Sequence, residues 1–332
     1  MRNSTIKDIA IHVGVSTATV SAVMSKNINS NVRVSEATRT RILEAATLLN
    51  YRPNSIAQSL RRKKTNVIGL YSVHGYMNPE MAFTSRIVGG LHRGCDLHGK
   101  DLLLHGLFAG RSVEEVYNEL AKGLVDGLIL YAPSGDPLVE RLARSSLPVV
   151  GIVDALPGIP SVVADDEDGM RLIAQYLNEK GVKKSLFRSS SGHMVSSERR
   201  NRAFIQEAQK IGMEVVDSIS PTHEQPTDEE IDRLCEKSSN RPDAVVCWND
   251  QTAYFILKAC MKRGMQIPGD LAITGFDGLP PTLPTSTQVT TVNAPWIEIA
   301  SKAVDLLMLR IQGEEIPMET KLPVFIAEGD TT

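Results

Sequence analysis

The chain has 332 residues, 42% apolar and 23% charged, with a formal net charge of −3, which is enough length for more than one folded unit. It shows no N-terminal apolar segment and no run long enough to cross a bilayer, so no membrane partner and a cytoplasmic location are expected. The four cysteines lack Cys-x-x-Cys spacing and the seven histidines lack a His-x-x-x-His pair, so no metal site, redox site or cofactor is expected.

The charge is unevenly spread. Residues 1–65 carry eleven Lys or Arg against three acids, a net of +8, leaving −11 on the remainder. A cationic head on an acidic body suits a protein in which only one end neutralises phosphates. The head opens with a helix start signal: Thr5 is followed three residues later by Asp8, and Ile6, Ile9, Ala10 and Val13 then repeat at helical spacing. Gly14 marks a tight turn, and Ser16 is placed to cap a second helix through Thr17, Ala18, Thr19, Val20, Ser21, Ala22 and Val23. Val20 and Val23 face the core; Thr17, Ala18, Ser21 and Ala22 share the opposite face, which can enter a major groove. A third helix over residues 34–49 braces the pair. A glycine between amphipathic helices also suits a bundle without nucleic acid, and it is the charge that favours DNA.

These residues resemble the lactose-repressor and galactose-repressor (LacI/GalR) family of bacterial transcription regulators. The resemblance is carried by Thr5-Ile-Lys-Asp8, Gly14-Val-Ser16, Ala18-Thr-Val-Ser21, Val34-Ser35, Thr38-Arg39 and Tyr51-Arg-Pro-Asn54 in order, and continues to the C-terminus. It implies that Thr17, Ala18 and Ala22 occupy base-reading positions, within a DNA-contacting set that also includes Thr5, Ser16, Thr19 and Ser21. Two of the three are alanines, and a methyl touches only a thymine methyl, so direct readout should be thin and DNA shape should matter more. The connection 25–33 is about four residues longer than usual in the family. Residues 53–60 alone read as a helix too short to be stable. By resemblance they form a hinge helix in the minor groove, with Leu60 as a wedge and Asn54 and Ala57 lining the groove. The basic run 61–64 would add salt-sensitive affinity.

From residue 67 the pattern changes. Apolar runs at 67–73, 102–104, 127–131, 148–152, 185–187, 244–248, 271–275 and 322–327 alternate with helical patterns at 81–97, 113–122, 169–180, 197–211, 250–263 and 296–312. Continuous apolar strands separated by helices predict a parallel sheet covered on both faces. About 270 residues accommodate either one (β/α)₈ barrel or two doubly wound subdomains. The resemblance implies the second: an α/β effector domain of two periplasmic-binding-protein-like subdomains behind an N-terminal all-α helix-turn-helix head. The expected divisions are 1–53 for the head, 54–65 for hinge and linker, and 66–332 for the effector domain. Within the last, 66–164 with 293–322 form one subdomain, and 165–292 with 323–332 the other.

A ligand is expected between the subdomains at the carboxyl ends of the strands. By resemblance, Asn249, Asp277 and Arg200 hold effector-binding positions, although Ala203 replaces the usual glycine near Arg200. Ser196 matches a ligand-contacting serine, and Trp296 falls where some members place an aromatic ring. Asp154 matches an effector aspartate only if its strand carries one extra residue; otherwise Val153 takes the place. Asp166 stands where asparagine is usual, adding negative charge at the cleft edge. Such a set suits vicinal hydroxyls and the C–H face of a sugar ring, so a sugar or polyol is the expected ligand.

Residues 94–101 nearly spell a phosphate-binding loop, but Asp101 replaces the hydroxyl that meets magnesium, and the segment runs from helix to strand. No Gly-x-Ser-x-Gly elbow is present. Asp154 and Asp277 as a glycosidase pair would make a sugar-processing enzyme with a vestigial DNA module, and a sugar-binding protein without DNA activity is the other alternative. The expectation is neither. It is a non-enzymatic homodimeric repressor on a pseudo-palindromic double-stranded operator, controlled by a sugar-like effector. No leucine-heptad tail follows the last strand, so a dimer rather than a tetramer is expected. Glu328 replaces the arginine usual just after that strand.

Overall fold

The computed structural model describes residues 4–24, 34–52, 64–190, 192, 194–219, 221, 223–236, 238, 241–281 and 285–332. Asn54, Ala57 and Leu60 of the expected hinge, the connection 25–33, basic residues 61–63 and His193 lie outside them. The chain divides into two compact units, Met1–Thr65 and Asn66–Thr332.

The first unit is built from α1 (Ile6–Val13), α2 (Thr17–Met24) and α3 (Glu36–Leu48). Thr5 and Asp8 form a reciprocal capping box on α1, each satisfying a donor at the other's end of the turn. Gly14 ends α1 with φ +75, a conformation glycine adopts without steric cost, and its N–H returns to the Ala10 carbonyl. Ser16 then caps α2, accepting from the Thr19 N–H at 3.1 Å, and the axes of α1 and α2 turn by 113°. Ile9, Val13, Val20, Val23, Ile42 and Ala45 form the core where the three helices meet. Arg41 on α3 donates to the Val13 carbonyl at 2.8 Å, closing the C-terminus of α1.

The second unit contains two six-stranded sheets. In chain order its elements begin with β1 (Val67–Ser72), α4 (Ala82–Leu97), β2 (Asp101–Leu104), α5 (Val113–Ala121), β3 (Gly127–Tyr131), α6 (Pro137–Ala143), β4 (Val149–Ile152) and β5 (Ser161–Ala164). There follow α7 (Asp166–Glu179), β6 (Lys184–Arg188), α8 (Val195–Lys210), β7 (Glu214–Ile219), α9 (Asp228–Cys235), β8 (Ala244–Cys247), α10 (Asp250–Lys262) and β9 (Ala272–Asp277). The last are β10 (Thr290–Asn293), α11 (Trp296–Ile311), β11 (Glu319–Leu322) and β12 (Phe325–Ala327). The first sheet has the order β11-β5-β4-β3-β1-β2 and is parallel throughout; the second runs β12-β10-β9-β8-β6-β7, with only β12 antiparallel to its neighbour.

Alternation along each strand explains the two covered faces. Ile129 of β3 packs toward α4 and α11, whereas Leu128 and Leu130 pack toward α5 and α6. In β8, Val246 faces the side of α7 and α8, while Val245 and Cys247 face α9 and α10. Glycines set the closest approaches. A Cβ at Gly94 on α4 would meet the Val304 Cβ of α11 at 2.9 Å, and one at Gly169 on α7 would meet the Phe276 ring at 2.6 Å.

The predicted final strand, residues 322–327, is instead two strands on different sheets, β11 beside β5 and β12 beside β10. Pro323 lies between them, and its missing N–H and fixed φ interrupt a ladder. Among the described residues no single helix is long and apolar enough to cross a membrane.

Candidate functional site

The carboxyl ends of the strands of both sheets face one cavity of about 560 Å³. His74 after β1, Tyr131 at the end of β3 and Phe83 on α4 line it from the first subdomain, together with Trp296 at the start of α11. From the second come Ser196 and Arg200 on α8, Trp248 and Asn249 after β8, and Asp277 at the end of β9. Both tryptophans of the chain are in its wall.

Arg200 is 2% exposed and its bonds are specific. Its Nε donates to Asp166 Oδ1 at 2.7 Å, its Nη1 donates to the Trp248 carbonyl at 2.6 Å, and the guanidinium lies 3.5 Å from the Phe276 ring centroid. Asp277 Oδ1 is 3.8 Å from Nη1, an ion pair without a hydrogen bond. Asp277 also has φ +131, a sparsely populated backbone conformation for a residue with a side chain. Its carbonyl accepts from Trp296 Nε1 at 3.0 Å, so the tryptophan ring is pinned edge-on to the residue whose carboxyl faces the cavity. Asn249 caps α10: its Oδ1 accepts from the Thr252 N–H at 2.8 Å, which commits the oxygen and leaves the amide NH₂ as the group suited to a ligand acceptor.

Burial disfavours ionisation of the carboxyls in and beneath this wall. It pushes Asp166 up to about 6 against the pull of Arg200, and Asp250 up to about 6 although Thr291 and the Leu279 N–H donate to it. Asp277 is raised well above the ordinary carboxylate range by burial, with Arg200 opposing the rise. Burial lowers His74, favouring the neutral ring.

Two expectations need correction. Val153, not Asp154, is in the cavity wall; Val153 has φ +75 and turns the chain so that Asp154, 1% exposed, aims its carboxylate at α8. Asp154 Oδ2 and Oδ1 accept from the N–H groups of Val195 and Ser196 at 2.9 and 2.8 Å, joining one subdomain to the helix start of the other. Asp166 is not a charge at the cleft edge: it is 3% exposed, beneath Arg200, and its charge is answered there. Trp296 is 1% exposed and belongs to both the apolar core and the cavity wall.

Sequence reasoning missed much of the wall, Tyr131, His74, Phe83 and Glu224 among it. Tyr131 ends a predicted apolar strand and His74 follows another, so their places at carboxyl ends were available as a signal. Phe83 carries only a helical pattern. Glu224 lies in a polar stretch without periodicity; its carboxylate accepts from Trp248 Nε1 and Thr252 Oγ1, both at 3.1 Å, and from Ser190 Oγ at 3.4 Å.

In the first unit, Thr5, Ser16, Thr17 and Ala18 are exposed and Thr19, Ser21 and Ala22 half-buried, while Val20 and Val23 are buried. The outer face of α2 therefore presents a short, small-residue surface beginning at a helix N-terminus.

Residues 5–54 match the model of bacterial regulatory proteins of the lacI family, and residues 169–332 match a periplasmic binding protein-like domain. A ribose operon repressor of Bacillus subtilis (strain 168) is 30% identical over 313 residues, covering 92% of this chain and 91% of that protein. The solved lac repressor dimer bound to operator and the anti-inducer ONPF superposes with a TM-score of 0.81 at 23% identity, covering 99% of each chain. A periplasmic binding protein/LacI transcriptional regulator from Alkaliphilus metalliredigens QYMF, complexed with D-xylulofuranose, gives a TM-score of 0.63 at 25% identity, covering 80% of this chain and 99% of that one.

Proposed function

The chain belongs to the LacI family of bacterial regulatory proteins, and on that premise we propose a homodimeric, operator-binding repressor, acting in the cytoplasm, whose affinity for DNA is set by a sugar or polyol in the inter-subdomain cavity. The observation that carries this reading is the cavity of about 560 Å³ itself, placed at the carboxyl ends of two sheets and walled by both subdomains. A molecule that contacts both walls favours one relative placement of the subdomains over others, which is the differential interaction an effector must supply.

Within that reading Arg200, Asn249, Asp277 and Ser196 contact the effector from one subdomain, and Trp296 stacks from the other. Asp154 acts indirectly by holding the start of α8, which carries Ser196 and Arg200. On the head, Thr17, Ala18 and Ala22 face the bases, and Thr5, Ser16, Thr19 and Ser21 the backbone of a major groove. Asn54, Ala57 and Leu60 engage the minor groove between paired hinges. The division of labour follows 1–53, 54–65 and 66–332.

The protein is proposed to do no chemistry on its ligand. Asp154, which with Asp277 would have to form a glycosidase acid–base pair, spends both oxygens on backbone donors. The relatives' repressor names support the same reading.

The test is selection from a random DNA pool with full-length protein at near-physiological salt, repeated with a sugar library present. A near-palindromic motif whose enrichment changes with one sugar is the expected result. Salt-dependent retention without any motif would sink the operator reading, and a motif indifferent to every sugar would sink the effector reading.

A further inference from the structure

The cavity described above offers one cation, already engaged, against a surplus of buried carboxyls. Among the described residues Arg200 is the only lysine or arginine in its wall. That charge is answered at 2.7 Å by Asp166 and by the Trp248 carbonyl, leaving Asp277 at 3.8 Å. Asp277 therefore faces the cavity with no side-chain hydrogen bond from Arg200, its protein partners being that ion pair and the Asp250 N–H, and burial makes its charge costly.

Beside Asp277 is an aromatic cluster. Phe83 meets Trp296 edge-to-face at 5.1 Å and lies 5.9 Å from Tyr131, which in turn lies 4.2 Å from the His74 ring. The Asp277 carbonyl holds Trp296, and the charge of Asp277 bears on Tyr131, so carboxyl and rings share one end of the cavity. A carboxylate among aromatic rings suits an ammonium: the carboxylate supplies the counter-charge and a ring face turned to the cation binds it, desolvated, through its quadrupole. A phosphate or carboxylate there would meet Asp277 with no uncommitted lysine or arginine among the described wall residues to balance it.

We propose that the effector carries a protonated amine, as an amino sugar or aminated polyol does, and that Asp277 takes the ammonium against the rings of Phe83, Tyr131 and Trp296. This deepens the reading of the cavity as an effector site and rests on it. Asp166 sets the preference indirectly, by occupying the guanidinium that would otherwise neutralise Asp277.

The experiment titrates full-length protein with glucosamine, galactosamine and mannosamine, each beside its parent hexose, its N-acetyl derivative and the hexose 6-phosphate. The readout is intrinsic fluorescence, since both tryptophans line the cavity. At least one amino hexose should bind about tenfold or more tighter than its parent. Asp277→Asn should bring that ratio close to one by weakening the amine alone. Asp166→Asn should also lower it, because Arg200 is then free to turn to Asp277; this second variant keeps the test sound if the first fails to fold by circular dichroism. Equal binding of the N-acetyl or parent sugar, tighter binding of a phosphate, or no binding by any member of the panel would each overturn the assignment. The DNA selection separates the two readings: a motif whose enrichment responds to a sugar without an amine removes only this inference, whereas a motif indifferent to every sugar removes the effector site as well.

Discussion

Thr17 is exposed at the first turn of α2, with its hydroxyl and methyl both available to a base edge. Thr17→Ala should flatten preference at one base pair by about 1 kcal/mol, whereas Lys64→Ala should weaken all sequences alike and lower the salt slope by about one. Affinity measurements against an operator and its single-base variants at several salt concentrations check both; equal, sequence-independent losses would remove Thr17 from base readout. The buried carboxyls yield a second expectation at the same scale. Asp166 and Asp250 sit at about 6 in the folded protein against an ordinary 3.8, so between these values the native state holds protons that the unfolded state does not. Stability is then gained as pH falls from above about 6 toward 4 and is lost as pH rises through the folded value. For this pair the effector unit should be more stable near about pH 5 than about pH 7.5, by on the order of 1 kcal/mol or more per group. Denaturant melts across that range should show it, and Asp250→Asn should flatten the dependence; a slope unchanged by the substitution would mean that other groups control it. The places of Arg200, Asn249 and Asp277 in the cavity wall were legible through resemblance, but the bond between Arg200 and Asp166 was not, because no spacing rule joins residues 34 positions apart.

Elements were legible where local chemistry decides them. The capping box at Thr5 and Asp8 was read correctly because both partners lie within one turn. The same signature occurs at Ser112 with Glu115 and at Thr227 with Glu230; the second starts α9, a helix the apolar pattern did not reveal because only Ile231 and Leu234 are buried. The polar stretch before α9 hid Glu224 for a related reason: a loop that reaches a cavity needs no periodicity. Helix pairing depends instead on small residues that become meaningful only when the partner is known. Gly94 on α4 faces Val304 on α11 closely enough that Gly94→Val should cost about 1–3 kcal/mol in denaturant melts, with effector affinity reduced because Phe83 and Trp296 sit on these two helices. A variant as stable as the parent would show that the helices separate without penalty.

At the scale of the molecule, the effector unit leaves apolar side chains along one edge of its first sheet. Leu97 at the end of α4 is 70% exposed, and Leu104 on the edge strand β2 is 52% exposed. An unpaired edge beside exposed leucines is a surface that a second copy of the chain would cover. Leu97→Asp with Leu104→Asp should shift the protein toward monomer in analytical ultracentrifugation and weaken operator binding through loss of the second head; a double variant that stays dimeric would place the interface elsewhere. The two subdomains are also tied directly: Arg199 on α8 forms two hydrogen bonds to Glu319 on β11, and Arg86 on α4 donates to the Gly278 carbonyl at 3.0 Å. These links bridge the two subdomains, so a ligand's effect on subdomain placement acts against them. The sequence alone determined the class of protein, the helix-turn-helix head and the alternation of buried strands with covering helices, since caps, turns, periodicity and charge balance are local properties that a linear chain displays. Only the tertiary structure decided that Val153 rather than Asp154 lines the cavity, that Asp166 neutralises Arg200, and that Pro323 separates strands belonging to different sheets. Burial, counter-charge and strand partnership depend on what lies across space from a residue, and distance along the chain does not encode that.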